Sequence, residues 1–497
     1  MRGDGREVEL KFQVDPAQGR EILARLGGGA APAARALTSI YYDTAGRALR
    51  RAGFVLRLRR EGRLWIQTLK SRANAAGALG RGEWESVAAK GSPETGPIRL
   101  TPAGTALRPG ATLKALFKIV VQRRSVMAER SGAAVEVSFD VGEAIAGGRA
   151  ESFNELELEL KSGSAQGLFA LADQLSEGFV LTPSFTTKAD RGFALLRGRG
   201  ARATHFEAPN LGPNKSTGET FRAQATAALA QIAANAEHLR AHPGAEAIHQ
   251  LRVGTRRLRG ALSTFKSVVA DDEALVVRAE LKWLTGEMDR ARNLDVFLTG
   301  AYREAKKGGA PVSALGRRLR AERAAAYDRA RAAAASGRLR VFTLGALKWI
   351  HIGAWTSPSA PRAALRDEPA ADFAARKLRR ERARIARKGA DLAALGRHAR
   401  HKVRIRAKIL RYAAEGFARL FDDESERSEA FIEALKGLQE HLGELNDIVG
   451  GERLIAELAG PPLAGNLKAA GEAREADLLE RAQAALDALA KAKPFWS

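Results

Sequence analysis

The chain has 497 residues, 45% of them hydrophobic and 28% charged, which is the composition of an ordinary folded protein with about two to four domains. It contains no cysteine, which excludes disulfides and thiolate metal sites, and no segment reaches the roughly 18 uncharged apolar residues of a membrane span. A net charge of +24 predicts a polyanionic partner, namely nucleic acid, a membrane surface or polyphosphate. The first ten residues lack an apolar core, so we expect no secretory signal and a bacterial cytoplasmic location.

Residues 1–196 consist of short segments in which charged and apolar residues alternate, a pattern typical of strands. In EVELKF, Glu7, Glu9 and Lys11 share one face, and similar alternation recurs at 56–59, 81–85, 135–140 and 155–161. Five such strands predict a closed sheet whose charged faces converge. Carboxylates suit Mg²⁺ or Mn²⁺ and basic side chains suit a polyanion, so the interior is predicted to hold a metal–polyphosphate complex.

The rest of the chain is predicted to be helical. Stretches 17–26 and 164–177 are helical within the strand-rich part, whereas 198–218 is rich in Gly, Pro and Asn and reads as a linker. Ser216 and Glu219 have the spacing of a capping box, which predicts that a helix starts there. From that point the composition and periodicity predict an all-α region, interrupted by a second break at 356–369.

The two helical quarters repeat one another. HQLRVGTRRLRGALSTF (249–265) aligns without a gap with HKVRIRAKILRYAAEGF (401–417). Downstream, LKWLTGEMDRARNLD (281–295) aligns with LKGLQEHLGELNDIV (435–449). This duplication predicts two helical bundles related by a pseudo-twofold axis, with the aligned Phe265 and Phe417 in the core.

Aligned basic residues form a stripe on each repeated helix, because spacings of i, i+4 and i+7 place them on one face. Like charges at this density repel unless an anion bridges them. Scarce aromatic residues and the lack of a groove-reading motif disfavour nucleic acid, and either histidine could equally be a core or capping residue. The predicted polyanion-binding residues are His249, Arg252, Arg256 and Arg259 on the first helix and His401, Arg404, Lys408 and Arg411 on the second.

The helical part resembles the CHAD family over roughly 219–490, on the paired rows and on LGELND at 442–447. The resemblance implies two pseudo-symmetric bundles with a basic central surface that binds inorganic polyphosphate. This sequence departs at Ile409, which aligns with Arg257, and at Arg292-Asn293, which align with Asn446-Asp447. These changes leave the aligned rows in place.

The strand-rich part resembles CYTH-domain proteins, the triphosphate tunnel metalloenzymes, over essentially residues 1–197. Ile119 departs from this pattern, since relatives often have a threonine there. The resemblance rests on seven motifs in order: EVELK (7–11), the segment 41–60, TLK (68–70), GRGEWE (80–85), FDVGE (139–143), NELELELKSG (154–163) and TTKADRGFALL (186–196). It implies an α+β multidomain chain, with an eight-stranded antiparallel β tunnel barrel followed by the all-α domain.

The CYTH resemblance also implies site residues. The implied ligands of the metal or of its bound water are Glu7, Glu9, Asp140, Glu155, Glu157 and Glu159. The implied phosphate-binding set comprises Lys11, Arg57, Arg59, Lys70, Arg81, Arg123 and Lys188, with Glu83 and Glu85 binding metal or holding the basic residues. Glu7, Glu9 and Lys11 form the implied catalytic core.

The predicted domains are a tunnel domain at 1–200, a linker at 201–217 and a helical domain at 218–497, with halves at about 218–355 and 370–497. The predicted activity is Mg²⁺- or Mn²⁺-dependent hydrolysis of inorganic triphosphate by water, because phosphoryl transfer needs positioning and charge neutralisation and no cysteine nucleophile is present. The alternatives are a non-catalytic polyphosphate-binding protein of polyphosphate granules, or an enzyme acting on thiamine triphosphate or ATP. Inorganic triphosphate and polyphosphate are the expected partners; a membrane is not.

Overall fold

The computed structural model describes residues 6–71, 80–89, 91–198, 202–209, 211–212, 214–307, 313–458 and 461–496. The predicted boundary at residue 200 and linker positions 201, 210 and 213 lie outside these ranges. The chain divides into two compact units, the first formed by residues 1–202 and 343–352 and the second by 203–342 and 353–497. Among the described helices, none combines the length and apolar character needed to cross a bilayer.

The first unit is built on a closed antiparallel barrel of eight strands, as the sequence predicts. The strands are β1 (Arg6–Gln13), β2 (Arg35–Asp43), β3 (Phe54–Glu61), β4 (Leu64–Ser71), β5 (Gly80–Val87), β6 (Lys114–Arg130), β7 (Ala133–Ala146) and β8 (Arg149–Ser162). Their order around the barrel is β5-β4-β3-β2-β6-β7-β8-β1, and pairing of β1 with β5 closes it. A two-residue strand, β9 (Thr182–Pro183), adds to β1 outside the closed ring.

The alternation of residue types separates the two faces of the barrel. Leu10 and Phe12 of β1 are only 3% and 1% exposed, on the face opposite Glu7, Glu9 and Lys11. Helices cover parts of the outer face. In this unit they are α1 (Pro16–Leu26), α2 (Ala48–Arg51), α3 (Thr95–Arg99), α4 (Ala165–Gly178) and α5 (Lys188–Leu196). The helical stretches predicted at 17–26 and 164–177 are therefore confirmed as α1 and α4.

Glycine allows α5 to approach the barrel closely. A Cβ atom added at Gly192 would lie 2.1 Å from the ring of Phe117 on β6, too close for any side chain there without movement. Thr187 caps the helix through a capping box with Asp190. The glycine and the cap together fix the first turn of α5, which carries Lys188.

The second unit consists of long helices. They are α6 (Thr217–Ala241), α7 (Ala245–Thr264), α8 (Lys266–Val269), α9 (Asp272–Thr299), α10 (Ala301–Lys307), α11 (Ser313–Ala335), α12 (Gly337–Ile352), α13 (Ala363–Asp367), α14 (Ala370–Lys388), α15 (Arg397–Phe417), α16 (Ser425–Leu458) and α17 (Pro461–Lys491). The last ten residues of α12 belong to the first unit. Ser216 and Glu219 form the predicted capping box of α6. The predicted break at 356–369 contains the short helix α13.

The two repeated helices, α7 and α15, pack against each other. Phe265 and Phe417, at their C-terminal ends, are fully buried with ring centroids 5.5 Å apart, and Phe373 of α14 stacks on Phe265 at 5.2 Å. The prediction that both phenylalanines are core residues is confirmed. Their contact places the equivalent ends of the two repeats at one point in the core.

Candidate functional site

The barrel encloses a cavity of about 570 Å³ to which all eight strands contribute side chains. Its wall is densely charged, with nine basic and nine acidic residues. The basic residues are Lys11, Arg35, Arg57, Arg59, Lys70, Arg81, Arg123, Lys161 and Lys188. The acidic residues are Glu7, Glu9, Glu61, Glu83, Glu85, Glu136, Glu157, Glu159 and Asp190. Formal charges in the wall therefore cancel.

One side of the cavity presents weakly paired cations. Arg57 and Arg59 of β3 have buried Nε atoms without a hydrogen-bond partner among the described residues, and Arg57 lies 3.9 Å from its nearest carboxylate, Glu83. Burial, with the neighbouring Arg57, lowers the pKa of Arg59 despite its ion pair with Glu61. Arg35 of β2 is exposed at the cavity and has no ion pair in the part of the chain that is described. Arg35 and Arg57 can thus bind an anion without first losing a strong ion-pair partner, whereas Arg59 would first have to leave Glu61.

Carboxylates occupy the opposite side, since β1 and β8 lie across the barrel from β2 and β3. Glu7 of β1 accepts hydrogen bonds from Lys70 Nζ at 2.8 Å and Arg81 Nε at 2.7 Å. Burial alone would raise the pKa of Glu7, but these two cations lower it below its ordinary value. Arg81 also contacts Glu9 at 2.7 Å, and Lys11 lies 3.3 Å from Glu9. Glu7, Glu9 and Lys11 thus meet in one ion-pair network.

Glu157 of β8 is the most heavily paired carboxylate of the wall. It contacts Arg123 at 2.5 Å, Lys188 at 2.7 Å and Lys11 at 3.2 Å. Burial opposes its ionisation, but Lys188, Lys11 and Arg123 together hold the pKa of Glu157 well below the usual range. Burial likewise opposes the charge of Lys188, yet neighbouring carboxylates including Asp140 raise its pKa well above the usual range.

Asp140 and Glu155, two of the predicted metal ligands, do not line the cavity. Both side chains are fully buried. Asp140 receives hydrogen bonds from Arg123 Nε at 2.7 Å and Nη2 at 2.6 Å, and Glu155 lies 3.0 Å from Lys188 and 3.2 Å from Arg191. In this arrangement the two carboxylates hold basic residues of the wall in place.

Glu159 belongs to a more open part of the wall. It shares Lys161 with Glu136, at 2.7 and 2.8 Å, so that one cation serves two carboxylates. Burial raises the pKa of Glu159 although Lys161 opposes the shift. Glu85 of β5 accepts a hydrogen bond from Thr68 at 3.0 Å. Glu85, Glu136 and Glu159 are therefore paired with fewer cations than Glu7 and Glu157.

The donor set of the cavity fits a hard divalent cation, because its wall ligands are carboxylate oxygens without sulfur or imidazole. Within the described ranges, however, no three His, Asp or Glu residues are already arranged to hold a metal ion. The predicted ligands Glu7, Glu9 and Glu157 are instead held by lysines and arginines. For these three carboxylates to bind a metal ion, a second anion such as a phosphate would have to engage those basic residues.

The second unit carries a cluster of basic residues between α7 and α15. Arg252 and Arg256 of α7 and Arg404 and Lys408 of α15 face one another closely, and Arg292 of α9 adds to them. Burial, followed by Arg256 and Arg292, lowers the pKa of Arg252 to about 10. Burial, followed by Arg404 and Arg256, lowers the pKa of Lys408 to about 7. We call these five residues the central basic cluster.

Other members of the predicted rows lie apart from this cluster. Arg259 is exposed near Arg278, and Arg411 is engaged by Gln439 at 2.8 Å and Glu415 at 2.6 Å. His401 Nδ1 lies 2.9 Å from Asn446 Oδ1 at the surface.

His249 does border the central basic cluster. Burial and the cations of Arg292 and Arg256 lower its pKa to about 4. The first two basic residues of each predicted row therefore lie together in the central basic cluster, and the third basic residue of each row lies outside it.

Three basic residues of the two sites, Arg35, Lys161 and Arg292, were not among the predicted site residues. Lys161 lies in the alternating segment 155–161, whose charged face could have indicated it. Arg292 lies in the aligned segment 281–295, where its mismatch with Asn446 could have indicated a role. Arg35 comes at the first position of β2 and has no alternating charged neighbour that could have indicated it.

A closed antiparallel barrel with a charged cavity defines the first unit, and paired helices with facing basic residues define the second. Residues 5–193 match the CYTH domain family and residues 223–456 match the CHAD domain family. The chain therefore belongs to the proteins that join a CYTH domain to a C-terminal CHAD domain.

Known proteins resemble parts of the chain. An inorganic triphosphatase of Haemophilus influenzae is 30% identical over 193 residues, which is 38% of this chain and 54% of that protein. The matched region thus spans about half the length of this curated relative. The crystal structure of the CHAD domain from the plant Ricinus communis is 25% identical, covering 58% of this chain and 97% of its own, with a TM-score of 0.48. PptA from Streptomyces chartreusis is 23% identical, covering 56% and 99%, with a TM-score of 0.36.

Proposed function

We propose that the barrel hydrolyses inorganic triphosphate to diphosphate and phosphate with Mg²⁺ or Mn²⁺, and that the helical unit binds inorganic polyphosphate. The observation that carries the first part is the charge-balanced cavity wall, with weakly paired arginines on one side and carboxylates on the other. The Haemophilus influenzae relative, an inorganic triphosphatase, agrees with this assignment.

Charge balance favours a metal–triphosphate complex over the bare anion. A wall with equal numbers of acids and bases gives little net attraction to a highly charged anion, but it can match separate positive and negative parts of a compensated complex. Arg57 and Arg59 would bind phosphate oxygens. Lys70, Arg81 and Arg123 would join them as their carboxylate partners turn to the cation.

Glu7, Glu9, Glu157 and Glu159 are the proposed cation ligands, with Asp140 and Glu155 positioning Arg123 and Lys188. A bound divalent cation would neutralise phosphate charge and lower the pKa of an attacking water. The chain's basic residues would hold the terminal phosphoryl group and stabilise the charge that develops on the diphosphate leaving group. One water is consumed, and its oxygen ends on the released phosphate.

A phosphate-release screen tests the enzymatic proposal. We expect release from triphosphate with Mg²⁺ or Mn²⁺, its loss on chelation, and much slower release from thiamine triphosphate, ATP and long polyphosphate. Faster turnover of thiamine triphosphate or ATP would instead identify that compound as the substrate. Retention of polyphosphate without any phosphate release would identify a binding protein of polyphosphate granules instead.

The polyphosphate proposal is supported by the central basic cluster. Five basic side chains share a half-buried site, where burial and their mutual repulsion lower the pKa values of Arg252 and Lys408. Asp289 of α9 pairs with Arg252, and Asp447 of α16 is a further nearby acid whose pKa is raised by burial. A chain of phosphates would supply further negative charge, and retention of the full-length protein on immobilised polyphosphate measures its binding.

A further inference from the structure

Helices α6 and α14 hold corresponding positions, directly before the repeated helices α7 and α15, but they differ greatly in charge. α14 contains eight lysines and arginines and two acids, whereas α6 contains two of each. Since α6 fills its position with almost no net charge, this helical arrangement does not itself require a basic helix. The charge on α14 needs another explanation.

The basic residues of α14 are poorly neutralised. Arg379, Arg380, Arg387 and Lys388 are exposed, and within the described ranges none of them has a hydrogen bond or ion pair. Basic side chains three or four residues apart on a helix repel each other and destabilise it. Only the last turn, with Arg387 and Lys388, gains from the helix dipole. Helix stability therefore does not account for the pattern.

A single buried carboxylate, Glu381, lies among several of the other basic residues. Glu381 is 7% exposed and accepts hydrogen bonds from Arg384 at 2.8 Å and from Arg406 of α15 at 3.3 Å. Lys377 lies beside them. Burial lowers the pKa of Lys377, and Arg380 and Arg384 add to this shift although Glu381 opposes it. Arg384, Arg406 and Lys377 thus share one carboxylate across two helices.

The composition of the surface restricts its partner. The large apolar residues of α14, namely Phe373, Leu378 and Ile385, are all buried, so this helix offers no large apolar side chain to a membrane and no aromatic ring to a base. The stripe from Lys377 to Lys388 extends about 16 Å along the helix. Such a surface fits a flexible polyanion that is recognised by charge alone.

We propose that α14 together with Arg406 forms a second polyphosphate-binding surface, separate from the central basic cluster. This inference rests on the proposed polyphosphate binding of the helical unit. Glu381 offsets part of the positive charge of Arg384, Arg406 and Lys377 and so limits the affinity of this surface. Long polyphosphate chains gain from the additional surface, and chains too short to fill more than one site do not need it.

The test reverses three unpartnered charges in the full-length protein, with Arg380→Glu, Arg387→Glu and Lys388→Glu. Its matched control reverses three exposed arginines of α11, Arg317→Glu, Arg318→Glu and Arg329→Glu, which changes the net charge by the same amount. We expect the α14 variant to bind long-chain polyphosphate about tenfold or more weakly with a shallower salt dependence, and the control to bind nearly as the wild type does.

A second variant changes binding in the opposite direction. Glu381→Gln removes the carboxylate that Arg384, Arg406 and Lys377 share, so affinity for long-chain polyphosphate should rise and its salt dependence should steepen. Phosphate release from triphosphate should stay at the wild-type rate in all three variants.

Several outcomes would overturn the inference. Equal losses of polyphosphate affinity in the α14 variant and the α11 control would show that binding depends on the net charge of the protein and not on the α14 surface. Wild-type binding by the α14 variant would contradict the proposed second surface. It would not affect the proposed binding of polyphosphate by the central basic cluster. Wild-type protein that retains no polyphosphate would contradict the proposed function itself. Retention of duplex DNA in its place, lost in the α14 variant, would assign the surface to nucleic acid.

Discussion

At the scale of single residues, the barrel keeps its carboxylates ionised by surrounding them with cations. Glu7 has two basic partners and Glu157 has three, and these partners overcome the burial that would otherwise favour the neutral acids. Removing one such carboxylate has two consequences. It deletes a proposed cation ligand, and it leaves several buried cations without their counter-charge.

Glu157→Gln should therefore reduce triphosphate turnover by roughly a hundredfold or more, because charge stabilisation in the transition state is lost. Phosphate release at saturating substrate measures this. The matched control is Glu143→Gln, which neutralises an exposed carboxylate on the neighbouring strand β7 and should leave turnover unchanged. Thermal unfolding of both variants separates a catalytic effect from loss of the fold. A folded Glu157→Gln protein with the wild-type rate would contradict the assignment.

Lys408 gives the central basic cluster a dependence on pH. It faces Arg404 on its own helix, Arg252 and Arg256 on α7 and Asp447 on α16, and its pKa is lowered to about 7. The side chain is thus charged at about pH 6 and largely neutral at about pH 8.5. A bound polyanion favours the charged form. Polyphosphate affinity should be highest at low pH, fall through pH 7–8.5, and be accompanied by proton uptake near pH 7.5.

Lys408→Arg should remove most of this dependence, since arginine stays protonated throughout the range. His249 does not interfere, because its pKa of about 4 lies well below the window. Affinity measured at constant ionic strength from pH 6 to 8.5 provides the comparison. An equally steep decline in the arginine variant would show that another group titrates.

At the scale of elements, α5 links barrel packing to the site. Gly192 allows the helix to lie against Phe117, and its first residue, Lys188, contacts Glu157 and Asp140. Any side chain at position 192 must push the helix away from β6. Lys188 would then be displaced, and Glu157 would lose one of its three cationic partners.

Gly192→Ala should accordingly destabilise the barrel by about 1–3 kcal/mol through overpacking and should also lower turnover. Gly286→Ala is the control. It introduces the same methyl group into helix α9, where nothing lies within 4 Å, and there it should be neutral or slightly stabilising. Chemical unfolding monitored on both variants tests the difference. Equal stability of the two would show that Phe117 moves aside at no cost.

Strand periodicity explains how much of the barrel could be predicted. Alternation alone places Glu7, Glu9 and Lys11 on one face, and the family resemblance supplied the strand number and the closed ring, which the structure confirms. The partners of each carboxylate could not be derived from local pattern. Glu7 pairs with Lys70 and Arg81, 63 and 74 residues away, and only the pairing of β1 with β5 brings them together.

Helical periodicity is similarly limited. The i, i+4 and i+7 spacing correctly places Arg252 and Arg256 on one face of α7, but it carries no information about where α15 crosses that helix. Arg259, almost two turns further along, therefore lies beside Arg278 and outside the central basic cluster. The spacing could not predict Arg292 either, because this residue lies on a third helix, α9.

At the scale of the whole molecule, the proposed catalytic and polyphosphate-binding residues belong to separate compact units. The carboxylates and arginines of the cavity all come from the first unit. The central basic cluster comes entirely from the second. Each activity should thus respond to its own substitutions.

Arg252→Glu with Arg256→Glu should abolish polyphosphate retention and flatten its salt dependence, because reversed charges now repel the phosphates. Triphosphate hydrolysis by the same protein should remain at the wild-type rate. Retention at several salt concentrations, measured alongside phosphate release, tests both statements. A wild-type salt dependence in this variant would identify the cluster as solvated surface, and a fall in hydrolysis would reveal communication between the units.

The balanced wall of the barrel also has a consequence for how substrate enters and leaves. Under the proposed function, an arriving phosphate would take a lysine or arginine from its carboxylate, and the freed carboxylate would become available to the accompanying metal cation. The interior would then work by ion exchange, with each charged group passing from one partner to another. When the products left, each side chain would return to its former partner in the wall, which would favour turnover over retention.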